Sequence, residues 1–178
     1  MLRSALAVLA VSIASAASAQ APAKKPAIPT EQAVLLGQFG DWGAYKATPG
    51  GKKVCFALSK PTSATTEPAG RKRDPSYAFV STRPAEKVKN EVSVIVGYPQ
   101  KPSHDATATI GAANYVMYTQ NDGAWVKNAA EEAQMVEAMR KGAELVVKSE
   151  SALGTKTTDT YSLKGMAQAL EKVAEECK

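Results

Sequence analysis

YSLKGMAQALEKVAEECK, residues 161–178, ends the chain one position after a cysteine. The other cysteine is Cys55, in KKVCFALSK, residues 52–60. In the C-terminal stretch Leu163, Met166, Leu170, Val173 and Cys177 recur at spacings of three and four, one face of a helix. Ser162 is placed to act as its N-cap. Cys177 therefore continues an apolar stripe. Around Cys55, the set Val54, Phe56, Leu58 alternates with Cys55, Ala57, Ser59, which predicts a strand with apolar or small side chains on both faces. Joining the two cysteines would clasp the last helix to the early part of a sheet.

Whether they join depends on the compartment, and the N-terminus speaks to that. MLRSALAVLAVSIASAASAQ, residues 1–20, has a cation at Arg3, an apolar run from Ala5 to Ile13, and small residues ending at Ala17-Ser18-Ala19. This is the pattern of a secretory signal peptide cut after residue 19. Its apolar core falls short of the roughly 20 residues that span a bilayer, which weighs against a retained anchor. No cysteine stands at the cut, unlike a bacterial lipoprotein. No later window is apolar enough to cross a membrane, so no transmembrane segment is expected after cleavage. Export to an oxidising compartment predicts a Cys55–Cys177 disulfide. The two residues are too far apart for a redox CxxC motif, and one histidine leaves a Cys/His metal site short of ligands. No metal and no cofactor are expected.

The 178 residues suit one domain, and a composition of 44% hydrophobic and 22% charged residues is that of a globular protein. The net charge of +5 falls by one when Arg3 leaves with the leader. So small and dispersed a bias could favour acidic surfaces but excludes a nucleic-acid footprint. Residues 20–37 hold three prolines and little pattern, and read as an exposed lead-in to one β-rich domain over residues 38–178.

Within that domain FGDWGAYKA, residues 39–47, reads as one strand pairing back with Val54–Ser59 across a Pro-Gly-Gly turn. Residues 60–75 form the longest polar break. SYAFVSTRP, NEVSVIVGYP, DATATIG and NYVMYTQ follow as strands, and the Asp-Gly pair at 122–123 turns into a short one at Ala124–Val126. Asn128 with Glu131 opens a helix that Gly142 stops. ELVVKSES and TKTTDTYS are two more strands around Gly154, before the final helix. Strands in series with two helices predict a mainly β fold, an antiparallel β-sandwich with the helices at its edge or end.

Chemistry is sparse in the pattern. His104, the sole histidine, lies between Ser103 and Asp105, and adjacent residues cannot form a catalytic triad. No Gly-rich phosphate loop, G-x-S-x-G or H-E-x-x-H occurs. Asp41 beside Trp42 and Asp159 in TTDTYS are the carboxylates to inspect for acid–base work, and no catalytic residue is assigned. Arg71, Lys72 and Arg73 stand together in the long polar break, a candidate contact for an anionic partner. The competing role for that run is a solvated loop paired with Glu67 or Asp74.

FGDWGAY with GGKKVCFALSKP, AFVSTRPAEKVKNEVSVIVGYP, YTQNDGAWVKNAAEEAQMVEAMRKGAELVVKS and TTDTYSLKGMAQALEKVAEEC closely resemble the invasion-associated locus B family of alphaproteobacterial exported proteins. The resemblance runs from Phe39 to Lys178. It implies a periplasmic β-rich protein, with surface exposure or secretion open, whose founding members are linked to host-cell invasion. It implies no catalytic residues. Many relatives carry a cysteine soon after the FGDW segment, and its absence here leaves Cys55 only Cys177 as partner. The expected function is an envelope binding or interaction protein of unidentified partner. The alternatives are an envelope hydrolase using paired carboxylates in an aromatic-lined cleft, and a purely structural envelope protein. Mass spectrometry of protein taken from its producing cells is expected to find Gln20, not Met1, at the N-terminus.

Overall fold

The computed structural model describes residues 32–178. The leader and residues 20–31 of the lead-in lie outside them. In chain order the elements are β1 (Val34–Phe39), β2 (Trp42–Ala47), β3 (Val54–Ser59), β4 (Ser63–Glu67), β5 (Tyr77–Arg83) and β6 (Val88–Ile95). They continue with β7 (Ala106–Ile110), β8 (Ala113–Gln120), β9 (Gly123–Val126), α1 (Ala129–Lys141), β10 (Glu144–Glu150), β11 (Lys156–Ser162) and α2 (Met166–Glu176). All eleven strands join one antiparallel sheet in the order β1-β2-β3-β5-β6-β9-β8-β7-β10-β11-β4.

Most neighbours in that order are sequence neighbours, as hairpins require. The pairs β6–β9 and β7–β10 are not consecutive, and β4 lies farthest from the strands that flank it in sequence. Residues 60–62 carry the chain from β3 to β4, which pairs with β11 at the opposite edge. In a flat sheet the eight intervening spacings would separate β3 from β4 by about 38 Å. The link can reach at most about 14 Å. The sheet must therefore curl until its ends meet, and two hydrogen bonds seal the meeting. Trp42 Nε1 donates to the Ser162 carbonyl at 2.8 Å, and the Asp41 amide to the Lys164 carbonyl at 3.0 Å. The result is the expected mainly β, sandwich-like fold.

Its core lies inside the curl. Trp42, Cys55, Val80 and Val94 from one half meet Ala108, Leu145, Val147 and Tyr161 from the other. The helices belong to this core and do more than cover an edge. α2 packs on β1, β2 and β3, α1 packs on β6, β8 and β9, and the helices touch each other. Asn128 caps α1 by accepting the Glu131 amide at 2.9 Å. Met135, Val136 and Met139 are its buried residues.

Four local expectations change. The lead-in ends sooner than residue 37, because Val34–Phe39 pairs with β2 as a strand. FGDWGAYKA is two strands, not one, broken by a turn at Gly40 and Asp41. The polar break at 60–75 contains β4, whose threonines pair with those of β11. Finally, α2 starts at Met166 with Gly165 as N-cap, not Ser162. Gly165 has φ +89°, and a Cβ there would sit 1.8 Å from the Phe39 carbonyl oxygen. Close approach to the β1–β2 turn, sealed through Lys164, thus sets where the helix begins.

Cys55 on β3 and Cys177, just past α2, are disulfide-bonded with Cα atoms 6.0 Å apart. Lys46 pairs with Glu176 at 3.0 Å and Lys53 donates to the Glu176 carbonyl at 2.9 Å, so three ties hold the helix end on β2 and β3. With the cysteines 122 positions apart, replacing both by serine is expected to cost about 4–5 kcal/mol in denaturant unfolding. Hydrogen exchange of that variant should show α2 losing protection before the central strands.

Candidate functional site

The basic triplet splits in two. Arg71 and Lys72 are exposed, whereas Arg73 turns back into the fold. Strand alternation explains what it meets. On β11 Thr157, Asp159 and Tyr161 share the inward face and all are buried. This places a carboxylate inside, 1% exposed, where only a cation or several donors can satisfy it. Arg73 supplies a two-pronged pair to Asp159, through Nη1 to Oδ2 at 2.9 Å and through Nη2 to Oδ1. Its Nη1 also donates to the Val96 carbonyl at 2.7 Å, and its guanidinium lies 5.9 Å from the Tyr98 ring centroid.

The network continues through hydroxyls. Ser76 Oγ donates to Asp159 Oδ2 at 2.8 Å and lies 2.5 Å from the Tyr161 hydroxyl. Tyr98 and Thr157 hydroxyls are 2.6 Å apart. Burial pushes the Tyr161 phenol well above its ordinary range, against the opposing Ser76 bond. For Arg73, burial works to lower the pKa, but the Asp159 hydrogen bond and charge outweigh it and the net shift is upward. Both groups thus keep one protonation state at physiological pH. The cluster is an anchor for the loop that carries Arg71 and Lys72.

That loop borders an open groove of about 600 Å³ lined by Ala64, Thr65 and Thr66 of β4 and by Gly70, Arg71 and Lys72. Thr66 Oγ1 accepts the Arg71 amide at 3.2 Å and donates to the Pro68 carbonyl at 2.9 Å, tying loop to strand. β4 is the last strand of the sheet, so its outer backbone edge has no strand neighbour among the described residues. Two exposed cations beside a strand edge can engage an anionic partner by charge-assisted hydrogen bonds.

The other flagged residues fall elsewhere. Asp41 is exposed in the β1–β2 turn, and its carbonyl accepts from Ser59 Oγ at 2.7 Å. His104 is exposed and faces Glu150 at 3.4 Å, not Asp105, which pairs with Lys127 at 2.7 Å. A smaller cleft of about 280 Å³ is lined by Asp74, Gly97, Tyr98, Pro99, Asn121 and Asp122. The sequence reads Asp122 only as part of an Asp-Gly turn, and Tyr98 only as one of several strand aromatics that could line a groove. Among the described residues no group of three or more His, Cys, Asp or Glu is placed to hold a metal. No helix among them is long and apolar enough to cross a membrane.

These features define a disulfide-clasped antiparallel β protein with a basic groove at one sheet edge. The chain belongs to the Invasion associated locus B protein family, whose family model matches residues 42–174. No curated protein and no solved structure matches it. The match takes in both the groove and the Arg73–Asp159 anchor, and stops just short of Cys177. Family membership and the disulfide are both consistent with an exported protein.

Because Asp159 is the partner of a side chain only 11% exposed, Asp159→Ala is expected to cost about 3–5 kcal/mol in urea unfolding. The double change Arg73→Met with Asp159→Leu should recover most of that loss.

Proposed function

We propose that this is an exported protein of the bacterial envelope that acts by binding, with the groove between β4 and the Gly70–Lys72 turn as its contact for an anionic partner. One observation carries this. Arg71 and Lys72 are held out to solvent by a loop that Arg73 fastens to a buried carboxylate. A cation on a free loop loses side-chain and backbone entropy when it binds, and a fastened loop has already lost part of it. Phosphorylated lipid headgroups, acidic glycans and acidic protein segments share the charge that would suit the site. The family's link to invasion then follows from envelope contact, with periplasmic residence and signal cleavage as its premises.

An envelope hydrolase rests on a narrower observation, the presence of Asp74 and Asp122 beside Tyr98 in the smaller cleft. Two carboxylates about 5–9.5 Å apart would be needed for acid–base cleavage of a glycoside. The groove is favoured because its charges face solvent as a set.

Cosedimentation with purified envelopes tests the binding function. The Arg71→Glu, Lys72→Glu variant is expected to bind about tenfold more weakly at low salt, equivalent to about 1.4 kcal/mol. The native chain should lose its advantage as ionic strength rises, since exposed charges are screened. Equal retention of the two proteins would remove the groove from the function. Glycan turnover abolished by Asp122→Asn would move the function to the smaller cleft.

A further inference from the structure

The β10–β11 hairpin holds a leucine out in water. Ser151 opens the turn, and three hydrogen bonds fix it. Its amide donates to the Thr155 carbonyl at 2.8 Å, its Oγ accepts the Thr155 amide at 3.0 Å, and its carbonyl accepts the Gly154 amide at 2.9 Å. Gly154 has φ +82°, which closes the turn without the penalty a side chain would bring. The Ala152 amide donates to the Pro99 carbonyl at 3.0 Å and ties the turn to the segment beside β10. With both neighbours held, Leu153 projects from the tip and is 95% exposed. Among the described residues the other exposed large apolar side chains, Val34, Leu35 and Val116, lie on strands and are far better covered.

A single exposed leucine is ordinary on a protein surface, and this one gains its meaning from what stands beside it. Glu67, the last residue of β4, faces Lys156, the first of β11, across the ladder. Leu153 is three positions before Lys156, so its Cα lies within about 15 Å of that of Glu67. The turn carrying Arg71 and Lys72 leaves β4 at this same end, and the Arg71 amide bonds back to Thr66 Oγ1 at 3.2 Å. An apolar tip and two exposed cations therefore share one end of the β11–β4 pair.

The carboxylates nearby are matched by cations. Glu67 opposes Lys156, and Glu150 pairs with Lys101 at 2.8 Å. Asp74 and Asp122 line the smaller cleft, which lies on the Pro99 side of the hairpin. Arg71 and Lys72 are thus the surplus charge on the β4 side. A bilayer with anionic headgroups answers both features at once: phosphates at its surface for the cations, and hydrocarbon just beneath for the leucine. An acidic glycan supplies the charge without the apolar phase. The hydrogen-bonded turn has already lost the backbone freedom that insertion would otherwise cost.

We infer that the β10–β11 hairpin and the Arg71–Lys72 turn together form a membrane-surface contact. Leu153 enters the headgroup–acyl boundary of an anionic bilayer while Arg71 and Lys72 hold its phosphates. This rests on the anionic groove of the proposed function and names its partner as lipid. Leu153 does not line that groove, so changing it separates the two readings.

The disulfide-intact protein is cosedimented with vesicles of phosphatidylglycerol and phosphatidylcholine in equal parts, and with vesicles of phosphatidylcholine alone. Binding is expected to the mixed vesicles only. Leu153→Ser should bind them about fivefold more weakly, and Arg71→Glu with Lys72→Glu about tenfold more weakly. Leu153→Trp adds a reporter. Its fluorescence should move to the blue on the mixed vesicles and be quenched by lipids brominated in their acyl chains, beyond any response of the native tryptophans. Undiminished binding by Leu153→Ser, with no added quenching in Leu153→Trp, overturns the inference. Weaker binding by the charge variant in that case keeps the groove as a contact for phosphate alone. Failure to bind the mixed vesicles, by protein that still sediments with purified envelopes, also overturns it and gives the groove to a glycan or a protein.

Discussion

Cys177 can reach Cys55 only when α2 lies along β2 and β3, and much of the fold is arranged around that placement. The helix fills the inside of the curled sheet beneath its first three strands, while α1 fills the region beneath β6, β8 and β9. Without helices on the inner face, Trp42 and Val173 would have no common core to enter. A covalent tie across most of the chain removes conformations from the unfolded ensemble, and it fixes the element nearest the C-terminus, which would otherwise fray first.

A second constraint acts at the other end of α2. The short link from β3 to β4 obliges the sheet to curl, and the Asp41–Lys164 and Trp42–Ser162 hydrogen bonds then close it. Gly165 must be glycine at this crossing, since the Phe39 carbonyl occupies the space a side chain would need. Helix α2 is thus pinned at its start by backbone crowding and at its end by the disulfide. Between the pins its apolar stripe contributes packing. The same closure brings β11 and the Arg73 loop together, so fold and candidate site share one cause.

Several elements were legible because local patterns carried them. The helical stripe ending in Cys177, the Asn128 cap, the Asp-Gly turn and the β-branched strands all follow from short-range periodicity and turn chemistry. β4 was not legible. SATTE has neither a hydrophobic face nor aromatic residues, and it is a strand because β11 offers it a ladder. The division of the basic triplet was hidden for the same reason. Arg71, Lys72 and Arg73 are equivalent as letters, and only the inward parity of Asp159 on β11 separates the third from the others. A signal did exist, since Asp159 alternates in step with Thr157 and Tyr161, but it pointed to burial without naming a partner.

The sequence by itself determined the antiparallel class, the disulfide pair, the helix periods and the family, because each depends on spacing within a short window or on residue identity. Only the tertiary structure decided that the sheet curls end to end, that the helices lie inside it, and that a groove forms at β4 with two outward cations. Those outcomes depend on contacts between residues far apart in the chain. Arg73 and Asp159 are 86 positions apart. Their energies depend on burial, which no short window of sequence contains.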